Sequence, residues 1–382
     1  MVRLAVKPDL LRWAADRGAR TENDLASKFP KLAKWLNGDE LPTLRQLEEF
    51  ARATSTPLGF LFLQKPPVES LGFPHFRTTT DKPVTTASAD LLDTVYQMQR
   101  RQDWLSEYLQ EQGRDPVPLV GSAKLGDDIR SVAGRIRESL KLDIDWASHT
   151  RSWEESLRVL NDAASDAGIV VVTNGVVGNN THRKLDVADF RGFVLVDRFA
   201  PLIFVNGADY KSAQMFTIAH ELAHLAYGQS AAFDLRNLES PNAPIEKACN
   251  QVAAEFLVPA VALTAFKSSG EVGQDARRLA QQFKVGQIVA ARRLLDVGRI
   301  SRKQFFAFYD DYISRERGVS SDKAGGDFYN TAPHRIGKRF AVELLRAVSA
   351  GNVLITDAYR LTGLKGETYH KFAQAVRAGG DA

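Results

Sequence analysis

The chain has 382 residues, 44% hydrophobic and 25% charged, which is enough apolar material for more than one core. A formal charge of +4 over this length neither demands nor excludes nucleic acid. The single cysteine, Cys249, excludes an internal disulfide framework and fits a reducing compartment. No apolar run approaches membrane-spanning length, and the start turns polar too soon for a secretory signal, so the expected location is cytoplasmic with no membrane partner.

In chain order, short helical faces follow Pro8 and Thr21, and a third lies at Leu32–Leu36 with Gly38 ending it. Thr43 is placed to cap a helix over Leu44–Ala53, before an apolar patch closed by Pro66-Pro67. A threonine-rich loop at 73–87 leads to one long helix over 88–113, then helices at Ile129–Leu140 and 150–164. The pattern changes to β at Ile169–Val172, Phe193–Val196 and Pro201–Val205, the last two reading as an antiparallel pair. Helical spacing returns over Ser212–Tyr227 and Ile245–Phe256, followed by a helical stretch at 261–270 and two helices joined by a turn at Val285-Gly286-Gln287. A polar helix at 303–316, a loop over 318–333, a helix at 334–350 and a short unit Leu354–Val376 complete the chain.

The chemistry sits at His220-Glu221-Leu222-Ala223-His224. Histidines four residues apart on a helix share one face, so both imidazoles can reach one zinc ion, and the intervening glutamate can take a proton from water at the metal. A bare pattern of this length also arises by chance, with histidines that are hydrogen-bonded core groups. Two of them with a glutamate on so apolar a helix need partners, because burying polar groups unpaired is costly. A third protein ligand is required. Glu246 and Glu255 both lie on the next predicted helix, nine residues apart and so on opposite faces, and spacing alone does not choose between them. Asn250, one turn after Glu246, can orient it or bond across to the first helix; Cys249 is simplest as a small buried residue, although spacing does not exclude it as a ligand. His182, Arg183, Tyr227 and His334 are all candidate oxyanion donors, with no spacing argument for any.

The segments Phe190-Arg191-Gly192-Phe193, Pro201 to Asn206, Phe216 to His224 and Ile245 to Pro259 together resemble the ImmA/IrrE-type metallopeptidases of bacteria and phages. Trp35-Leu36-Asn37-Gly38, the stretch from Phe60 to Pro67 and Gly325-Gly326-Asp327-Phe328-Tyr329 extend the resemblance to the long form with an N-terminal helix-turn-helix-like region. The resemblance implies His220, His224 and Glu246 as zinc ligands and Glu221 as catalytic base. It also implies a narrow protein substrate, such as a transcriptional repressor encoded nearby or a toxin–antitoxin partner.

The resulting expectation is an α+β, predominantly helical protein, with a small β-sheet and a zincin-like helical core flanked by helical domains. Residues 1–67 form the helix-turn-helix-like domain, 68–165 a helical lead-in, 166–300 the zinc peptidase core and 301–382 a C-terminal helical region. DNA remains an open partner: Lys28, Lys31 and Lys34, with Arg3, Arg12 and Arg17 as candidate phosphate contacts, are nearly balanced by neighbouring acids. The basic residues of Arg335–Val376 fit either a second such unit or a solvated face, and Trp104, Trp146 and Trp153 are expected in the core. The leading function is a zinc endopeptidase; the alternative is a DNA- or protein-binding regulator with structural zinc and little turnover.

Overall fold

The computed structural model describes residues 2–69, 87–229, 231–233, 244–316, 332 and 334–378. Most of the expected threonine-rich loop, nearly all of the 318–333 loop and the Gly325–Tyr329 motif lie outside the described residues. The described residues fall into two compact units, one comprising residues 2–69 and the start of the long helix up to Tyr96, the other beginning at Gln97.

The first unit is helical: α1 (Pro8–Arg17), α2 (Glu22–Ala26), α3 (Leu32–Asn37) and α4 (Leu44–Ala53), followed by a 3-10 turn at Leu58–Phe62. Thr21 and Thr43 each accept from the third backbone N–H of their helix and are answered by Asp24 and Gln46, so both starts are closed reciprocally. Leu11, Leu25, Phe29, Trp35, Leu47, Phe50 and Leu61 form its core, with Phe29 meeting Phe50 edge-on at 5.5 Å. Arg17 is not available to a phosphate: its side chain is 3% exposed and its guanidinium pairs with Glu69 and Asp93, at 2.7 Å each. Glu40 accepts from both Arg3 and Lys31.

The second unit takes up the rest of the long helix α5 (Ala89–Glu111), then α6 (Ile129–Leu140) and α7 (Trp153–Asp166). Strands β1 (Val170–Asn174), β4 (Gly192–Leu195), β5 (Leu202–Asn206) and β6 (Ala231–Phe233) build a mixed sheet in the order β1-β5-β4-β6, while β2 (Val176–Val177) and β3 (Asn180–Lys184) form a separate hairpin. β4 and β5 pair antiparallel, as the sequence predicts, whereas β1 lies parallel to β5 with Val172 opposite Phe204. All of β4 and β5 is buried, which accounts for their unbroken apolar runs. Val194 and Ile203 share a core cluster with Ile218 and Leu222 of α8 (Lys211–Tyr227), whereas Phe193 stacks on Phe204 at 5.0 Å, one residue along each strand and hence on the opposite face.

The chain continues through α9 (Pro244–Leu257), α10 (Ala260–Thr264), α11 (Val272–Phe283), α12 (Gln287–Asp296), α13 (Arg302–Glu316), α14 (Lys338–Ser349), α15 (Ile355–Thr362) and α16 (Gly366–Ala378). The helical stretch expected at 261–270 stops at Thr264, and the Asp275 carboxylate of α11 accepts from the Ser268 hydroxyl and the Ser269 backbone N–H, which holds the residues between α10 and α11 out of a helix. Trp146 is buried, whereas Trp104 and Trp153 are only half-buried; Trp104 stacks on Tyr108 and meets Phe340 of α14 edge-on. No described helix is long and apolar enough to cross a membrane.

Candidate metal centre

The site is made where α8 and α9 pack together. Every residue of α8 from Gln214 to Tyr227 is buried, because the helix is covered by the sheet on one side and by α6, α7 and α9 on others. A helix enclosed in this way has to be apolar nearly all round, so its few polar side chains stand out. Gly228, at φ 70, ends it in the left-handed conformation that spares a side chain strain.

His220 and His224 lie one turn apart with their Nε2 atoms 3.0 Å from each other. Glu246, in the first turn of α9, brings Oε2 to 3.3 Å from His220 Nε2 and Oε1 to 3.1 Å from His224 Nε2. One ligand atom from each residue falls within 4.8 Å of the others, and all three residues are buried. Asn250, one turn further along α9, sets the tautomer of His220: its Oδ1 lies 3.0 Å from His220 Nδ1 and can only accept, so Nδ1 carries the proton and Nε2 offers a lone pair to the cluster. Of the two roles the spacing left open to Asn250, bonding across to α8 is the one the structure displays.

Burial keeps His220 neutral, with its pKa lowered to about 4 against the opposing pull of Glu246. Burial alone would raise the Glu246 carboxyl, but its contacts with His220 and His224 outweigh that and hold it at about 2. His220 Nε2, His224 Nε2 and the Glu246 carboxylate therefore converge on one buried point. The donor set, two nitrogens and one oxygen, suits zinc and leaves a fourth coordination position for water or substrate.

Glu221 is fully buried and neither carboxylate oxygen has a hydrogen-bond partner. Burial, and then the nearby Glu246 charge, push its pKa well above the ordinary carboxylate range. Thr217, one turn earlier on the same face, also buries a hydroxyl without a partner. Its position at i−4 from Glu221 was readable in the sequence, but only the burial makes it notable.

Glu255 has a different setting. It sits near the C-terminal end of α9, ion-paired with Arg293, and accepts the backbone N–H of Ala260. Arg137 donates to the carbonyls of Glu255 and Phe256, and Arg293 to that of Val258, so two cations close this helix end. A cleft of about 560 Å³ with Glu255, Arg293 and Arg130 in its wall opens at this end, away from the histidines. Cys249 is fully buried in the core and lies outside the three-residue cluster. His182 and Arg183 lie on the largely exposed β3, His334 is at the surface, and the Tyr227 hydroxyl is buried without a hydrogen-bond partner.

A peptidase-family model described as the IrrE N-terminal-like domain matches residues 164–295, which hold the sheet, α8 and α9. A second model, described as a domain of unknown function, matches residues 336–375. No curated protein and no solved structure matches the chain. The chain thus carries an IrrE-like peptidase domain with a metal-ligand cluster in it, which together support a zinc-dependent hydrolase.

Proposed function

We propose that the protein is a zinc endopeptidase acting on a narrow, regulatory protein substrate, with His220, His224 and Glu246 holding the metal and Glu221 as the base. The observation that carries this reading is the pair of buried, unpartnered Glu221 oxygens beside a three-ligand cluster. A structural zinc site is closed by four protein ligands and has no use for an adjacent bare carboxylate.

A zinc ion bound to these residues supplies Lewis-acid polarisation of the scissile carbonyl and lowers the pKa of a water molecule. Asn250 keeps His220 in the tautomer that offers Nε2. Glu221, poorly solvated and therefore proton-hungry, takes the proton of the water whose oxygen attacks the carbonyl carbon. It then returns that proton to the amine nitrogen as the C–N bond breaks, leaving one new carboxyl and one new amine. Dry walls around the carboxylate strengthen each of these interactions.

The narrow substrate and its regulatory character, a repressor or a toxin–antitoxin partner, rest on the family likeness of the central segment. Trapping on a Glu221→Gln form tests them. The variant keeps the ligands and lacks the base, so a true substrate accumulates on it and is cut only by the parent protein. Captured partners that the parent leaves intact would contradict the reading and favour a binding regulator.

A further inference from the structure

Gly192, the first residue of β4, lies against the face of α8 that carries Thr217 and Glu221. A Cβ placed on it would lie 2.5 Å from Thr217 Cγ2, 2.7 Å from the Phe204 carbonyl oxygen and 3.7 Å from Glu221 Oε1. The first two separations are well inside van der Waals contact. One of the atoms met is backbone of the paired strand, so a side chain cannot be admitted by a rotamer change alone. Gly192 is held on both sides, opposite Val205 of β5 and opposite Phe233 of β6, so the strand has little freedom to bow away. Thr217 and Glu221 are one helical turn apart, and whatever displaces the first presses on the niche of the second. The metal ligands meet one another on another side of α8, against α9.

We propose that Gly192 is a positioning residue for Glu221: its bare Cα is the floor of the niche in which the carboxylate stands, and it sets the distance between β4 and α8 there. This rests on the metallopeptidase reading above, and it separates two tasks. Metal binding is set by α8 against α9. Placement of the base is set by α8 against β4. The tight backbone approach gives Gly192 a reason to be glycine, although its φ is not in the left-handed region.

A test that needs no substrate uses Co²⁺ as the metal and acetohydroxamic acid as the probe. The two oxygens of acetohydroxamate bind a divalent ion, and the proton it gives up needs a base beside it. Cobalt uptake and acetohydroxamate binding are both read from the visible spectrum of the folded protein. For Gly192→Ala, cobalt affinity stays within about threefold of the parent while acetohydroxamate binding weakens by roughly tenfold or more, the scale of a misplaced supporting group. Glu221→Gln shows a loss at least as large. Adding Thr217→Ser to Gly192→Ala removes the 2.5 Å contact and restores part of the affinity, whereas the Phe204 carbonyl contact persists. If Gly192→Ala does not fold, the double variant carries the test, with parental cobalt affinity and weakened acetohydroxamate binding. Parental acetohydroxamate affinity in either folded variant overturns the proposal, as does loss of cobalt in step with it, since Gly192 would then merely support the fold. A parent protein that takes up no cobalt overturns the metal centre first and the role of Gly192 with it.

Discussion

Two glutamates on one helix, Glu246 and Glu255, are both buried, and their surroundings differ in one respect that matters for chemistry. Glu255 is met by Arg293, by the Ala260 amide and by the cationic cap of the helix end, so its charge and its lone pairs are satisfied within the protein. Glu246 is met by the imidazoles of His220 and His224, with a second carboxylate nearby, Glu221, whose oxygens have no hydrogen-bond partner. One is a buried charge that stabilises a helix junction; the other stands in a cluster that could hold a metal ion. Unsatisfied buried polar atoms are costly for the fold, and a cluster of them at one point is where function is most economically sought.

The largest effect is expected at Glu221. Glu221→Gln is expected to lower kcat at least about a hundredfold, the low end for loss of a general base, with zinc content unchanged. A steady-state assay on the trapped substrate, normalised to zinc, checks it. The next effect opposes the two ends of α9. Glu255→Ala leaves Arg293 buried without its carboxylate and is expected to cost about 3–5 kcal/mol in urea unfolding, with the metal retained. A loss of metal without a loss of stability would reverse the assignment of the two glutamates. Asn250→Ala, which frees the His220 ring to change tautomer, is expected to weaken zinc affinity by about 10–100-fold, read by competition with a chromogenic chelator.

A half-buried carboxylate supplies the smallest effect and a control. Glu40 in the first unit is held by Lys31 and then Arg3, which lower its pKa from 4.5 to about 2. Its folded value is the depressed one, so the stability it contributes is present above about pH 4.5 and is lost as pH falls toward 2. In acid titration of the first unit's helical signal, Glu40→Gln should flatten the slope in that window and leave zinc binding at neutral pH untouched. An unchanged slope would remove Glu40 from the acid response.

Much of this was legible before any coordinates. The threonine caps, the helix carrying the histidine pair, the antiparallel strand pair and the turn at Gly286 all follow from spacing and local chemistry, because each is decided within a few residues. What spacing could not decide was long-range. Glu246 and Glu255 differ only in what other helices bring to them, Arg293 from α12 and Arg137 from α6 at one end, two histidines from α8 at the other. The parallel pairing of β1 with β5 leaves no mark on Val170–Val172 beyond apolarity. Arg17 reads as a surface cation until Glu69 and Asp93, far along the chain, are seen to enclose it. Gly192 was visible as part of a motif, but its reason, the proximity of Thr217 and the Phe204 carbonyl, belongs to the packing of β4 against α8 and β5.

Elemental analysis of the purified protein alongside its Glu246→Ala and Glu255→Ala forms decides whether His220, His224 and Glu246 form a zinc site. About one zinc per chain is expected in the parent and in Glu255→Ala, and loss of zinc in Glu246→Ala. A parent protein that is metal-free and refuses added zinc, or a Glu246→Ala form that keeps its full zinc content, would contradict it.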